Sequence, residues 1–153
     1  MGDKIVYIFL DIDGVLNKKT DWKNKFTFNN LCLNNFDRLI NWLYDRKKYN
    51  CKIILTSTWR IGFKENNKTI FSSLIQLLKK YNLQINGITP ITADKSRQQE
   101  ISYYIRINNV LNYIIIDDDK SLFEDFSDKR LYFINCDIGL TEKDVKAIQR
   151  IVK

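Results

Sequence analysis

Lys4-Ile5-Val6-Tyr7-Ile8-Phe9-Leu10-Asp11-Ile12-Asp13-Gly14-Val15-Leu16-Asn17 is the stretch from which the fold is read. Residues 4–11 form a strand that is apolar without a break from Ile5 to Leu10, the pattern of a parallel strand covered on both faces. It runs into two carboxylates, Asp11 and Asp13, spaced i and i+2, which on a strand share a face and leave the sheet together. Neighbouring anions are costly unless a proton or a cation holds them together. Gly14 lets the backbone turn sharply beside a ligand. A β-turn with solvated aspartates is the bland alternative for this motif taken alone.

Outward from this strand, apolar runs alternate with helical periods. A helix around 30–47 carries Phe36, Leu39, Ile40 and Leu43 at i, i+3, i+4 and i+7. Cys51 to Leu55 make a second strand; Phe71, Leu74, Ile75 and Leu78 mark a second helix, and a short strand follows near Gln84–Ile88. Ser96 with Gln99 makes a capping box that opens a third helix, with Ile101, Tyr104 and Ile105 inward. Tyr113–Ile116 and Leu131–Ile134 read as strands, and Thr141 with Asp144 caps a last helix whose core residues are Val145, Ile148 and Val152. This alternation predicts a three-layer, Rossmann-like α/β fold on a mainly parallel five-stranded sheet, formed by one domain over 1–153. In such sheets ligands sit outside the carboxyl ends of the strands.

The composition narrows the chemistry. No apolar run approaches the roughly 20 residues of a membrane span. The start is too short for a secretory signal. The three cysteines, Cys32, Cys51 and Cys136, are odd in number and show no CxxC spacing, so a reducing, cytoplasmic setting is expected. The chain has no histidine, which excludes Ser-His triads and imidazole metal sites. Chemistry must run on carboxylates, hydroxyls, Lys and Arg, which favours a hard, oxygen-bound cation such as Mg²⁺. The net charge of +7 invites a nucleic-acid partner. Its lysines are scattered, however, in a chain rich in Ile, Asn and Lys throughout, as an AT-rich genome would produce.

Polar clusters follow the strand ends. Thr56-Ser57-Thr58-Trp59-Arg60 closes the second strand, where hydroxyls and backbone amides can donate to a phosphate. Trp59 reads either as a core lid or as a base-stacking platform, and Arg60 as a phosphate contact or a structural partner for an acid. In Asp94-Lys95-Ser96-Arg97, a basic residue at the first helical position opposes the helix dipole, and a residue that breaks a local rule is a functional candidate. The strand 113–116 ends in Asp117-Asp118-Asp119, three carboxylates of which at least one should meet a cation.

The ordered set (DxDG, then hydroxyl, then Lys/Arg, then Asp-Asp) resembles the four-motif signature of the haloacid dehalogenase (HAD) superfamily over nearly the whole chain. It is more similar still to the HAD domains of Swiss-army-knife RNA repair proteins. The residues that carry this likeness are Asp11–Asn17, Thr56–Arg60, Thr89-Pro90, Arg97 with Glu100-Ile101, and Gly139-Leu140-Thr141. The resemblance implies that Asp11 attacks phosphorus and becomes an aspartyl-phosphate, while Asp13 protonates the leaving oxygen and then activates water. It implies Mg²⁺ on Asp11, the backbone carbonyl of Asp13, and Asp118 or Asp117. Thr56 or Ser57 would hold phosphate oxygens and Arg97 or Lys95 would neutralise their charge, with Gly14, Trp59 and Arg60 on the substrate side. The 17–29 stretch is too short for a cap domain, so an open, capless phosphatase is expected. Its expected substrate is a terminal phosphate on RNA or DNA, with a small phosphomonoester such as a nucleotide as the alternative. A receiver-type phosphoacceptor and a catalytically silent binding module are the readings from other classes. The partner is thus a phosphomonoester, with no membrane involved.

Overall fold

The computed structural model describes residues 4–24, 27–60, 75, 78–79, 83–92, 96–124 and 126–152. Five strands form one parallel sheet: β1 (Lys4–Leu10), β2 (Tyr49–Leu55), β3 (Ile85–Ile88), β4 (Tyr113–Asp117) and β5 (Leu131–Phe133). Their order across the sheet is β3-β2-β1-β4-β5, and every pair is parallel. Among the described residues, three complete helices accompany them: α1 (Asn30–Lys47), α2 (Arg97–Ile107) and α3 (Glu142–Ile151). The 3-10 turns Lys19–Lys23 and Lys120–Phe123 follow β1 and β4.

Strand alternation sorts the core into two layers. Val6, Ile8, Leu10, Ile53, Leu55, Ile114 and Ile116 pack with Phe36, Leu39 and Leu43 of α1 and Val145 and Ile148 of α3. Phe9, Ile54, Tyr113 and Ile115 face the other way and pack with Ile101 of α2 and Phe123. A strand covered on both faces has no polar side to show, which is why β1 and β4 read as unbroken apolar runs.

The helices start where the capping residues place them. The Ser96 hydroxyl accepts from the Gln99 amide at 3.4 Å, and the Gln99 side chain accepts from the Ser96 amide at 2.9 Å. Thr141 and Asp144 repeat the arrangement at α3. Asn29 opens α1 by accepting from the amides of Leu31 and Cys32, a cap that reading the apolar period alone does not reveal. The helix expected over 71–78 lies largely outside the described residues; Ile75 and Leu78 are helical.

The candidate active site at the strand ends

Register brings the polar residues together. Leu10 lies level with Leu55 on β2 and with Ile116 on β4. One step further along each strand are Asp11, Thr56 and Asp117, continuing the alternation towards the α2 face. The backbone holds them there, because the Asp11 amide donates to the Ile116 carbonyl (3.1 Å) and the Thr56 amide to the Leu10 carbonyl (2.9 Å). Arg97, in the first turn of α2, reaches the same place. Its Nη1 is 2.7 Å from Asp117 Oδ2 and 3.5 Å from Asp11 Oδ1.

Asp118 completes the cluster. One carboxylate oxygen from each of Asp11, Asp117 and Asp118 lies within 4.8 Å of the others. Asp117 is fully buried, and its Oδ1 accepts from the amides of Asp118 (2.8 Å) and Asp119 (3.0 Å). Asp119 turns away from the cluster and caps the 3-10 turn, accepting from the Ser121 amide. Of the three consecutive aspartates, two therefore enter the site and one serves the local backbone.

Three carboxylates against one guanidinium leave an ionised cluster with two uncompensated negative charges. Burial, then the charge of Asp117, push the Asp11 carboxyl well above its ordinary range, with Arg97 acting against them. Burial raises Asp117 too, opposed by Arg97 and by the Asp119 amide. Burial disfavours the Arg97 charge, but Asp11 and Asp117 outweigh it and raise its pKa. Oxygen donors with this charge suit a hard divalent cation. Beside them Thr56 is fully buried, and its hydroxyl oxygen finds no hydrogen-bond partner among the described residues. Buried hydroxyls are ordinarily satisfied, so an orphaned one marks a place for a ligand atom.

Asp13 has a different environment. Its Oδ1 accepts from Asn17 Nδ2 (2.9 Å) and its Oδ2 from the indole N–H of Trp59 (3.1 Å). Asn17 is 1% exposed, and its side-chain oxygen accepts from the Gly14 amide (2.9 Å) and from Trp22 Nε1 (2.8 Å). Its remaining N–H goes to the Thr27 carbonyl. Every polar position of that amide is occupied, so the Asp13 carboxylate is held by a rigid group.

The three residues expected on the substrate side have the following surroundings. Trp59 is 3% exposed, packs edge-on against Phe28 at 4.9 Å and donates to Asp13, so its ring belongs to the interior. Arg60 is buried: its guanidinium makes a 2.6 Å ion pair with Glu100 and donates to the Thr56 carbonyl and the Thr89 hydroxyl. Glu100 also accepts from the Thr92 amide at 3.1 Å. Gly14 has φ +83°, and a Cβ on it would lie 2.3 Å from Asp118 Oδ2, so it makes room for the acid cluster. Ser57 is buried, and its hydroxyl accepts from the Trp59 amide. Lys95 lies outside the described residues, as does Asp94. The contacts of Asn17 with Asp13 and of Trp22 with Asn17 were not read from the sequence; the signal available was an amide at the end of the DxDG segment and an aromatic residue in a short polar loop.

The family model described as the HAD domain in Swiss Army Knife RNA repair proteins matches residues 7–145. The chain belongs to this family. No curated protein and no solved structure matches it significantly. In this HAD domain Arg60 ties together Thr89, Glu100 and the carbonyl of Thr56. Among the described residues, no helix is long and apolar enough to cross a membrane.

Proposed function

We propose that this HAD domain is a Mg²⁺-dependent phosphomonoesterase that works through an aspartyl-phosphate on Asp11 and removes a terminal phosphate from RNA or DNA. The observation that carries this reading is the convergence of Asp11, Asp117, Asp118 and Arg97 beside the orphaned Thr56 hydroxyl. The donor set fits the ion: Asp11 and Asp118, with the backbone carbonyl of Asp13, would hold Mg²⁺, and Asp117 would share it while holding Arg97. When bound, the ion supplies positive charge against the carboxylates and the transferring phosphoryl group.

Asp11 Oδ attacks phosphorus, and the bond to the leaving oxygen breaks as Asp13 delivers a proton to it. Asp13 then takes a proton from the water that hydrolyses the aspartyl-phosphate, returning both carboxylates to their starting state. Thr56 and the backbone at Ser57 donate to the phosphoryl oxygens, and Arg97 neutralises charge that builds there. The clamp of Asn17 and Trp59 keeps Asp13 aimed at the leaving oxygen. Among the described residues, the segment between β1 and α1 holds just the Lys19–Lys23 turn, which supports an open, capless site that admits a macromolecular end. A cytoplasmic setting belongs to the same reading.

The test compares 3′- and 5′-phosphorylated oligonucleotides with free nucleotides, with and without Mg²⁺. Acid quenching during turnover should trap phosphate on the peptide that contains Asp11. Phosphatase activity that survives Asp11→Asn would overturn the mechanism. Good turnover of free nucleotides, together with no inhibition by an unphosphorylated oligonucleotide at low salt, would favour the small-molecule substrate.

A further inference from the structure

The Lys19–Lys23 turn is linked to Asp13 through Asn17, and residues before and after it are tied to the body of the domain. Lys19 N–H donates to the Cys136 carbonyl (2.8 Å), and Asn29 N–H donates to the Leu16 carbonyl (2.9 Å). Within the turn the Asp21 carboxylate accepts from the Lys18 amide at 2.9 Å. Trp22 is 40% exposed, yet its indole N–H is fixed to Asn17 Oδ1 at 2.8 Å. The same Asn17 amide donates to Asp13. A single amide group therefore separates an exposed indole from the Asp13 carboxylate. Trp59, by contrast, is interior and offers no such surface. Lys18, Lys19 and Lys23 lie within four residues of Trp22 in the same segment and form no ion pair among the described residues, the first half-buried and the other two exposed.

We infer that Trp22 is the stacking platform for the base adjacent to the scissile phosphate, and that the lysines of its turn hold the next backbone phosphates of a single-stranded nucleic-acid end. The inference rests on the phosphatase reading above and names the part of the substrate that the turn recognises. An indole anchored through its N–H keeps its ring orientation, so little side-chain freedom is lost when a base stacks on it. Stacking is tolerant of sequence because every base has a π-face. The turn therefore selects for a nucleoside without selecting which one. A free nucleotide could use the ring but not the lysines.

The decisive comparison can be made with the unaltered protein. Phosphorylated oligonucleotides are compared that differ only in whether the terminal nucleoside carries a base or is abasic. Loss of the base should raise KM about tenfold or more, within the range of one base–aromatic stack. A second arm uses Trp22→Phe, which keeps a ring, and Trp22→Leu, which does not. The ratio of kcat/KM for the oligonucleotide to that for a small alkyl phosphate should fall about tenfold in Trp22→Leu and by less in Trp22→Phe, which keeps a ring but not its N–H anchor. Neutralising Lys19 as Lys19→Gln should reduce the salt slope of oligonucleotide binding by about 0.7. Equal KM values for the abasic and base-bearing ends, with active enzyme, would overturn the inference and leave the phosphatase reading standing. Absence of turnover on every phosphomonoester would instead refute the phosphatase reading itself.

Discussion

Arg60→Met separates a structural arginine from a substrate-binding one. The guanidinium is 2.6 Å from Glu100, and the two side chains are 9% and 5% exposed. Removing one partner of such a pair leaves the other charge buried alone, at a cost of about 3–5 kcal/mol. For a domain of this size each kcal/mol shifts the melting temperature by roughly 2–4 °C, so Tm should drop by about 6–20 °C. Adding Glu100→Gln removes the stranded charge while keeping an acceptor for the Thr92 amide. The double variant should recover stability, with a coupling energy of about 1–3 kcal/mol. Activity per folded molecule should also fall, because Arg60 holds the carbonyl of Thr56, and small misplacements at a reacting centre can cost about a hundredfold. Urea or thermal unfolding followed by circular dichroism gives the first quantity, and initial rates below Tm give the second. A loss of stability under about 1 kcal/mol, combined with a large rise in KM, would place Arg60 on the substrate and refute this reasoning.

Further outcomes follow from the same geometry. Asp11→Asn should lower turnover at least about a thousandfold, a barrier increase of ~4 kcal/mol; retention of more than a tenth of the activity in a steady-state assay would count against it. Gly14→Ala should weaken Mg²⁺ activation, since the new Cβ meets the Asp118 carboxylate in a backbone conformation unfavourable to alanine; an unchanged Mg²⁺ titration would show that Asp118 is not a ligand. In metal-free protein, burial raises the Asp11 and Asp117 carboxyls, so the native state holds more protons than the unfolded chain and stability should decline as pH rises from acidic towards neutral. Chemical denaturation across that range checks the sign, and saturating Mg²⁺ should abolish the decline.

Most of the fold was legible because its signals are local. Buried parallel strands show as apolar runs, and the Ser96–Gln99 and Thr141–Asp144 boxes mark helix starts within four residues. The acid cluster was legible in part, since Asp11 and the 117–119 run lie at strand ends whose levels only the register determines. Which of the three aspartates enter the site depends on backbone direction after β4, where Asp119 is diverted into a cap. Arg60 and Trp59 were ambiguous for a different reason. Their partners, Glu100 and Asp13, lie 40 and 46 residues away in sequence. No local pattern distinguishes a strand-end arginine that faces phosphate from one that is buried. Asn17 went without a role because a buried amide is recognisable only from the four groups around it.

The central position of β1 has a consequence for how the domain loses function. β1 is paired on both sides, with β2 and β4, and covered on both faces. Amides in such a strand exchange with solvent only when the whole domain opens. Asp11 extends directly from that strand and Asp117 ends the neighbouring one, so their relative placement is tied to the slowest-exchanging part of the chain. Partial opening at either edge of the sheet, at the four-residue β3 or the three-residue β5, would leave the carboxylates in register. Protection factors measured by hydrogen exchange should accordingly peak at Ile8, Phe9 and Leu10, with metal-binding capacity lost only when those amides become free to exchange.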